Sequence, residues 1–145
     1  NEARYGIAWG AVGAAADCYH AAVTYAAERQ QFDRPLGAFQ LVQARLADML
    51  TEITRAQGLV HQLGRLKDRG VNAVPLVSLA KRANVDMAIA VARSAREILG
   101  AAGITDEWPV GRHLTNLESV RTYEGTHEIH TLILGAEITG RPAYR

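Results

Sequence analysis

Apolar positions recur along this chain at helical spacing, and the clearest run lies in its second quarter. Val42, Leu46, Met49, Ile53, Ala56, Val60 and Leu63 step forward by alternating fours and threes, which lays one continuous apolar stripe along a helix. Arg45, Asp48, Glu52 and Arg55 fall off that stripe and belong on the solvent side. Lys67 and Arg69 followed by Gly70 mark the end of this helix, because basic side chains complement its negative pole and glycine accepts the left-handed exit.

Prolines stand only at 35, 75, 109 and 142, and they divide the chain into long helix-compatible segments. The segment from Ala3 to Gln30 is dense in alanine and glycine, which predicts a helix that neighbouring backbones approach closely. A turn from Phe32 to Gly37 follows. Pro75 suits the first turn of a third helix, with Leu79, Ala83, Met87, Ala90 and Ile98 on or near one face and a stop around Gly100 to Gly103. A linker from Ile104 to Pro109 leads to a short helical piece around Arg112 to Val120. The last helix starts near Thr126, carries Ile129, Leu132, Ile133 and Ala136 at core spacing, and ends at Gly140 and Pro142. No segment sustains two-residue alternation with β-branched enrichment, so strands are not expected. The predicted fold is all-α: an antiparallel bundle of four main helices with a short extra helix, one domain over residues 1–145.

Composition narrows the function classes. An apolar content of 48% supports a real core, and a net charge of +1 supplies no field for nucleic acid or an anionic membrane. The most apolar stretch, Gly6 to Ala27, is broken by Asp17 and His20, which argues against a membrane span. Cys18 is the single cysteine, so no internal disulfide forms, as suits a reducing compartment; inert packing is expected of it rather than catalysis. The chain opens at Asn1 without methionine or a signal core, the expected mark of a piece of a longer protein.

Candidate chemistry concentrates in three places. Glu124 stands between Tyr123 and Gly125-Thr126, at the mouth of the last helix, where the helix dipole favours its ionised form. Facing a pocket it can act as a base, and exclusion of water by a bound ligand would improve it; taken alone, it more often simply complements a helix N-terminus. Tyr123 beside it either walls a ligand pocket or fills the core. Around the first turn, Arg29, Gln31 and Phe32 offer a phosphate-binding cation, an amide and a stacking ring, or else a helix-end charge and a core aromatic. The run Glu97-Ile98-Leu99-Gly100-Ala101-Ala102-Gly103 either lets a ligand approach backbone amides or just stops a helix. A metal site is disfavoured. Glu124-x-x-His127 and Asp17-x-x-His20 have carboxylate–histidine spacing, but Asp48 and Glu52 point away from a bundle interior, and His127-Glu128-Ile129-His130 misses the HExxH spacing.

Taken in order, Arg29-x-Gln31-Phe32-x-x-Pro35-Leu36, Gln40, Leu99-Gly100 and Tyr123-Glu124-Gly125-Thr126 resemble the C-terminal helical domain of the acyl-CoA dehydrogenase family. The closer resemblance is to its glutaryl-CoA dehydrogenase branch, through the stretch from Asn1 to Gly10, Leu46 to Thr54, Leu63 to Asp68, and Leu132 to Gly140. It covers essentially the whole chain. A Gly100-Ala101-Ala102-Gly103 turn replaces the Gly-Gly-Asn-Gly of many relatives, and Glu97 replaces a glutamine.

The resemblance implies an FAD-dependent oxidoreductase in which Glu124 takes the α-proton of glutaryl-CoA. The β-hydride passes to the flavin, carbon dioxide is lost to give crotonyl-CoA, and electron-transferring flavoprotein reoxidises the cofactor. It implies a homotetramer whose N-terminal helical and β domains are not in this chain, in lysine and tryptophan breakdown. The compartment would be the cytoplasm of a bacterium or the mitochondrial matrix of a eukaryote. Thr126 and Tyr144 would touch the flavin; Arg29, Phe32, Gln40 and the Glu97, Ile98, Leu99, Gly100 and Ala101 turn would reach the FAD of a neighbouring subunit. Asn1, Glu2, Ala3 and Arg4 would meet the CoA ester, with Tyr123 and Gly125 lining the approach to it. For the isolated chain, a helical oligomerisation module without activity is the alternative.

Overall fold

The computed structural model describes residues 2–143, so the expectations for Asn1 and Tyr144 lie outside the described residues. The elements run α1 (Glu2–Glu28), a minimal hairpin β1 (Gln30–Gln31) and β2 (Arg34–Pro35), α2 (Gln40–Asp68), α3 (Val74–Leu99), α4 (Val110–Thr122) and α5 (His127–Thr139). Short 3₁₀ turns at Leu36–Ala38 and Gly100–Ile104 precede α2 and follow α3. This is the expected helical bundle, with α1 and α3 running one way and α2 and α4 returning. Among the described residues, no helix is long and apolar enough to cross a membrane.

The stripe on α2 packs as its spacing requires: Met49, Ile53, Ala56, Val60 and Leu63 are buried, whereas Asp48 and Glu52 face solvent. On α1 the alanines, not the glycines, make the close approach. Ala8, Ala11, Ala15, Ala22 and Ala26 are buried, while Gly6, Gly10 and Gly13 have open space where a side chain would stand. Cys18 sits in the same stripe, and burial first, then Asp17, pushes its thiol up to about 12, which leaves it inert.

Helix α3 corrects the expected face. Leu79, Ala83 and Met87 are only half-buried and Ala90 is exposed; of the expected set only Ile98 is in the core. The buried positions are Val77, Lys81, Asn84, Val85, Ala88, Ala92 and Ala95, because α3 is the central element and packs against α1, α2, α4 and α5. Asn84 joins three helices, donating through Nδ2 to the carbonyls of Ala8 (3.2 Å) and Ala56 (3.4 Å).

Two further expectations change. The hairpin appears where strands were not expected, held by Gln30↔Pro35 and Gln31↔Arg34 pairing. Its tip residues, Phe32 (φ 53°) and Asp33 (φ 60°), are both left-handed, the geometry of a tight turn that follows the strand twist. On α5, Ile129 is exposed and Leu132, Ile133 and Ala136 are half-buried; His130 is this helix's one buried residue. The apolar spacing there is real, but among the described residues α5 packs chiefly against α3, which leaves most of that face half-buried or exposed.

The turn after α3 shows why its outer glycines stand where they do. Gly100 has φ 59° and ψ −133°, a conformation hostile to any side chain. A Cβ on Gly103 would stand 2.9 Å from both the Cα and the carbonyl oxygen of Arg96. Gly103→Ala should therefore cost about 1–3 kcal/mol in urea unfolding, because the obstruction is backbone. His130 supplies a pH test. Burial lowers its pKa below 6.5, Lys81 and Arg4 add to the effect, and the nearby Glu124 and Gly125 carbonyls oppose it. The unfolded chain thus protonates first, so stability is full above about pH 6.5 and falls as the pH drops toward the lower folded pKa. The difference in denaturation midpoint between the protein and His130→Gln should shrink across that window.

Candidate active site

The site is built on the loop between α4 and α5. Glu124 has φ 55° and Gly125 φ 97°, and Thr126 then caps α5 by accepting from the Ile129 amide at 3.3 Å. A glutamate held left-handed is uncommon and strained by about 1 kcal/mol or more, and such residues collect at functional sites. The carboxylate is exposed and, among the described residues, makes no hydrogen bond or ion pair. Glu124 lies two residues before the cap, not at the helix mouth. The helix-end role belongs instead to Glu128 in the first turn, whose pKa is lowered by its own amide and by Thr126.

Three consecutive carbonyls of this loop are held from beneath by two cations. Lys81 Nζ donates to Tyr123 O at 2.9 Å and to Gly125 O at 2.6 Å, and Arg4 Nε donates to Glu124 O at 2.8 Å. Lys81 is 1% exposed. Burial lowers its pKa, with Arg4 and Arg121 in the same direction, whereas Glu124 raises it. His130 lies under Gly125, close enough that a Cβ there would meet its Nε2 at 3.0 Å. Among the described residues, neither ring nitrogen has a hydrogen-bond partner. Next to this floor, Asp86 accepts from Arg121 and lies 3.4 Å from His127 Nδ1, which commits His127 to α3. Asp17 is likewise committed, to His113 at 2.7 Å, and no three metal-ligand side chains converge among the described residues.

Sequence reasoning missed Lys81, and the signal was available. Lys81 is four residues from both Val77 and Val85, so a stripe phased on those valines puts a lysine in the core. The other candidates divide between the two ends of the bundle. At the Glu124 end, Tyr123 is 48% exposed and closes a groove of about 490 Å³ between α1 and α4, lined by Ile7, Gly10, Ala14, Leu117 and Val120. Ala3 is exposed, and Glu2 is paired with Lys67.

At the opposite end stand Arg29, Phe32, Gln40 and the turn after α3. Phe32 is 86% exposed at the hairpin tip, so it does not pack into the core. It leans edge-on against Phe39 (6.2 Å), which Arg34 covers at 4.0 Å. Arg29 and Gln40 are exposed too, Gly100 and Ala101 face solvent, and Glu97 is paired with Arg45, which offsets its charge. Ile98 and Leu99 bury their side chains, leaving only backbone for a ligand. Arg4 and Glu28, near the two ends of α1, are about 36 Å apart at 1.5 Å per residue. The two clusters therefore cannot close on one small molecule within this chain.

Comparison with known proteins gives the lineage. The family profile for the acyl-CoA dehydrogenase C-terminal domain matches residues 1–139. Glutaryl-CoA dehydrogenase from Mycobacterium smegmatis superposes with a TM-score of 0.97 at 57% identity, over 100% of this chain and 38% of that one. A second glutaryl-CoA dehydrogenase structure from Mycobacterium smegmatis, in complex with FADH2, has a TM-score of 0.97 at 47% identity and the same coverage. An acyl-CoA dehydrogenase of Bacillus subtilis (strain 168) is 39% identical over 97% of this chain and 37% of its own length. The chain thus spans well under half the length of these relatives. It belongs to the acyl-CoA dehydrogenase family, as a C-terminal helical domain of that type.

Proposed function

We propose that this chain is the C-terminal domain of an FAD-dependent glutaryl-CoA dehydrogenase, with Glu124 as the base that removes the α-proton. The observation that carries this is an exposed, unpaired carboxylate on a strained loop whose carbonyls are each tied down, while Glu128 serves the helix end. The 57% identity to a glutaryl-CoA dehydrogenase supports the substrate.

The donor set suits FAD. Phe32 offers a bare ring on a rigid turn, and Arg29 and Gln40 offer a cation and an amide beside it, which fits a nucleotide's ring and phosphates. Thr126 caps α5 through its hydroxyl oxygen, and the same hydroxyl, which also serves Glu128, could turn to donate to the flavin at the Glu124 end. Bound FAD would supply the acceptor for the β-hydride, and electron-transferring flavoprotein would then remove the electrons. Glu124 takes the α-proton, the γ-carboxylate leaves as carbon dioxide, and the protonated Glu124 returns its proton to the product, crotonyl-CoA. Because the two clusters lie at opposite ends of α1, a homotetramer in which each cofactor is gripped by two subunits accounts for both.

In the full-length enzyme, Glu124→Gln should retain FAD and lower the turnover of glutaryl-CoA by about 10²–10⁴-fold. Undiminished turnover removes Glu124 from the base role. Product analysis decides the rest: glutaconyl-CoA without crotonyl-CoA excludes decarboxylation, and faster turnover of an unbranched monocarboxylic acyl-CoA excludes the glutaryl substrate.

A further inference from the structure

The buried lysine beneath the Glu124 loop does more than fill a gap in α3. In a trans peptide the C=O and N–H point in opposite directions. Lys81 pulls the Tyr123 carbonyl inward, so the N–H of the same peptide unit, that of Glu124, is turned away from the cation cluster. Arg4 does the same to the unit ending in the Gly125 amide, and the second Lys81 bond does so for Thr126. Among the described residues, none of these three amides donates a hydrogen bond. They form an outward row of free donors next to the Glu124 carboxylate, where backbone dipoles stabilise developing negative charge.

We propose that Lys81 is a positioning residue that aims and polarises the Glu124 amide as a donor to the thioester oxygen while α-proton removal places negative charge there. It rests on the reading of Glu124 as the base in an acyl-CoA site. Three features single out Lys81. The residue as a whole is 1% exposed, so its charge is not there to be solvated. Its two bonds, at 2.9 and 2.6 Å, hold the peptide unit that ends in the Glu124 amide and the unit that follows Gly125, one on each side of the unit held by Arg4. A charged donor on a carbonyl also strengthens the N–H at the other end of the same peptide, because hydrogen bonds in series polarise one another. Arg4 alone cannot replace it: Arg4 holds only the Glu124 carbonyl, from a half-buried position on α1. The groups facing Lys81 are these carbonyls together with Arg4, Arg121, Glu124 and His130, and Glu124 is the one acid among them.

The test uses the full-length holoenzyme and a 3-ketoacyl-CoA, which can lose an α-proton but has no β-hydrogen to pass on. Its bound enolate is followed by absorbance against pH. Lys81→Met removes both donors at nearly the same volume. It should lower kcat about tenfold or more with little change in KM, and raise the enolisation midpoint, meaning at least tenfold weaker stabilisation of the enolate. A purely structural lysine would alter thermal stability and leave that midpoint in place. If Lys81→Met does not retain flavin, Lys81→Gln, which keeps one neutral donor, should show a smaller rise in the same midpoint. A midpoint equal to that of the unaltered enzyme in whichever variant retains flavin overturns the proposal. Glu124→Gln separates the two claims. Full turnover in that variant defeats the base reading, whereas lost turnover there with an unmoved midpoint in the Lys81 variants defeats only the role of Lys81.

Discussion

The close packing of α1 on α3 is the constraint on which the rest depends. Alanines at 8, 11, 15, 22 and 26 face a central helix that is itself lined with Ala80, Ala88, Ala92 and Ala95, so the two backbones lie near one another along their whole length. Small side chains forgo the large transfer energy of a leucine core but give a stiff, close contact with few rotamers to order. The two helices run in the same direction, so each end of the pair is a fixed platform. Arg4 and Lys81 come together at one end, and the hairpin and the Gly100 turn lie toward the other. A rigid spacer of about 36 Å separates the two.

Each platform carries local strain. Glu124, Phe32 and Asp33 are the non-glycine residues with positive φ among those described, and two of the three are site candidates named from the sequence. Strain of this kind persists only where neighbouring contacts over-determine the backbone. At Glu124 these are the charged hydrogen bonds from Lys81 and Arg4; at Phe32 they are the β1–β2 pairing and the contact with Phe39. Ion pairing elsewhere tidies the surroundings: Asp86 holds Arg121 and His127, and Glu128 answers the dipole of α5. Glu124 is left without a structural task for its carboxylate.

The sequence disclosed elements with one buried face and obscured those with several. Helix α2 was legible residue by residue, because solvent on one side makes its stripe contrast with Asp48 and Glu52. Helix α3 was legible in extent but not in phase, since packing on four sides removes the contrast that fixes a face, and the misplaced face concealed Lys81. The two-residue strands are too short to alternate, and Phe32-Asp33 is not the asparagine–glycine pair that announces such a turn. The apolar spacing of α5 was read as core, but spacing cannot say whether a partner is present. Glu124 was found through its Tyr-Glu-Gly-Thr setting, whereas the carbonyl clamp beneath it depends on contacts across more than forty residues of sequence.

The central claim is that each flavin site is assembled from opposite ends of two protomers. Mixed assemblies test it directly. Protomers carrying Glu124→Gln are co-expressed with protomers carrying Arg29→Ala and Phe32→Ala, under separate affinity tags so that co-assembly is verified. Sharing between subunits leaves one wholly intact site in each mixed pair, so random pairing should restore about a quarter of the normal site activity from two inactive parents. Mixed assemblies no more active than the parents would contradict the account, because both clusters would then serve a site within a single protomer.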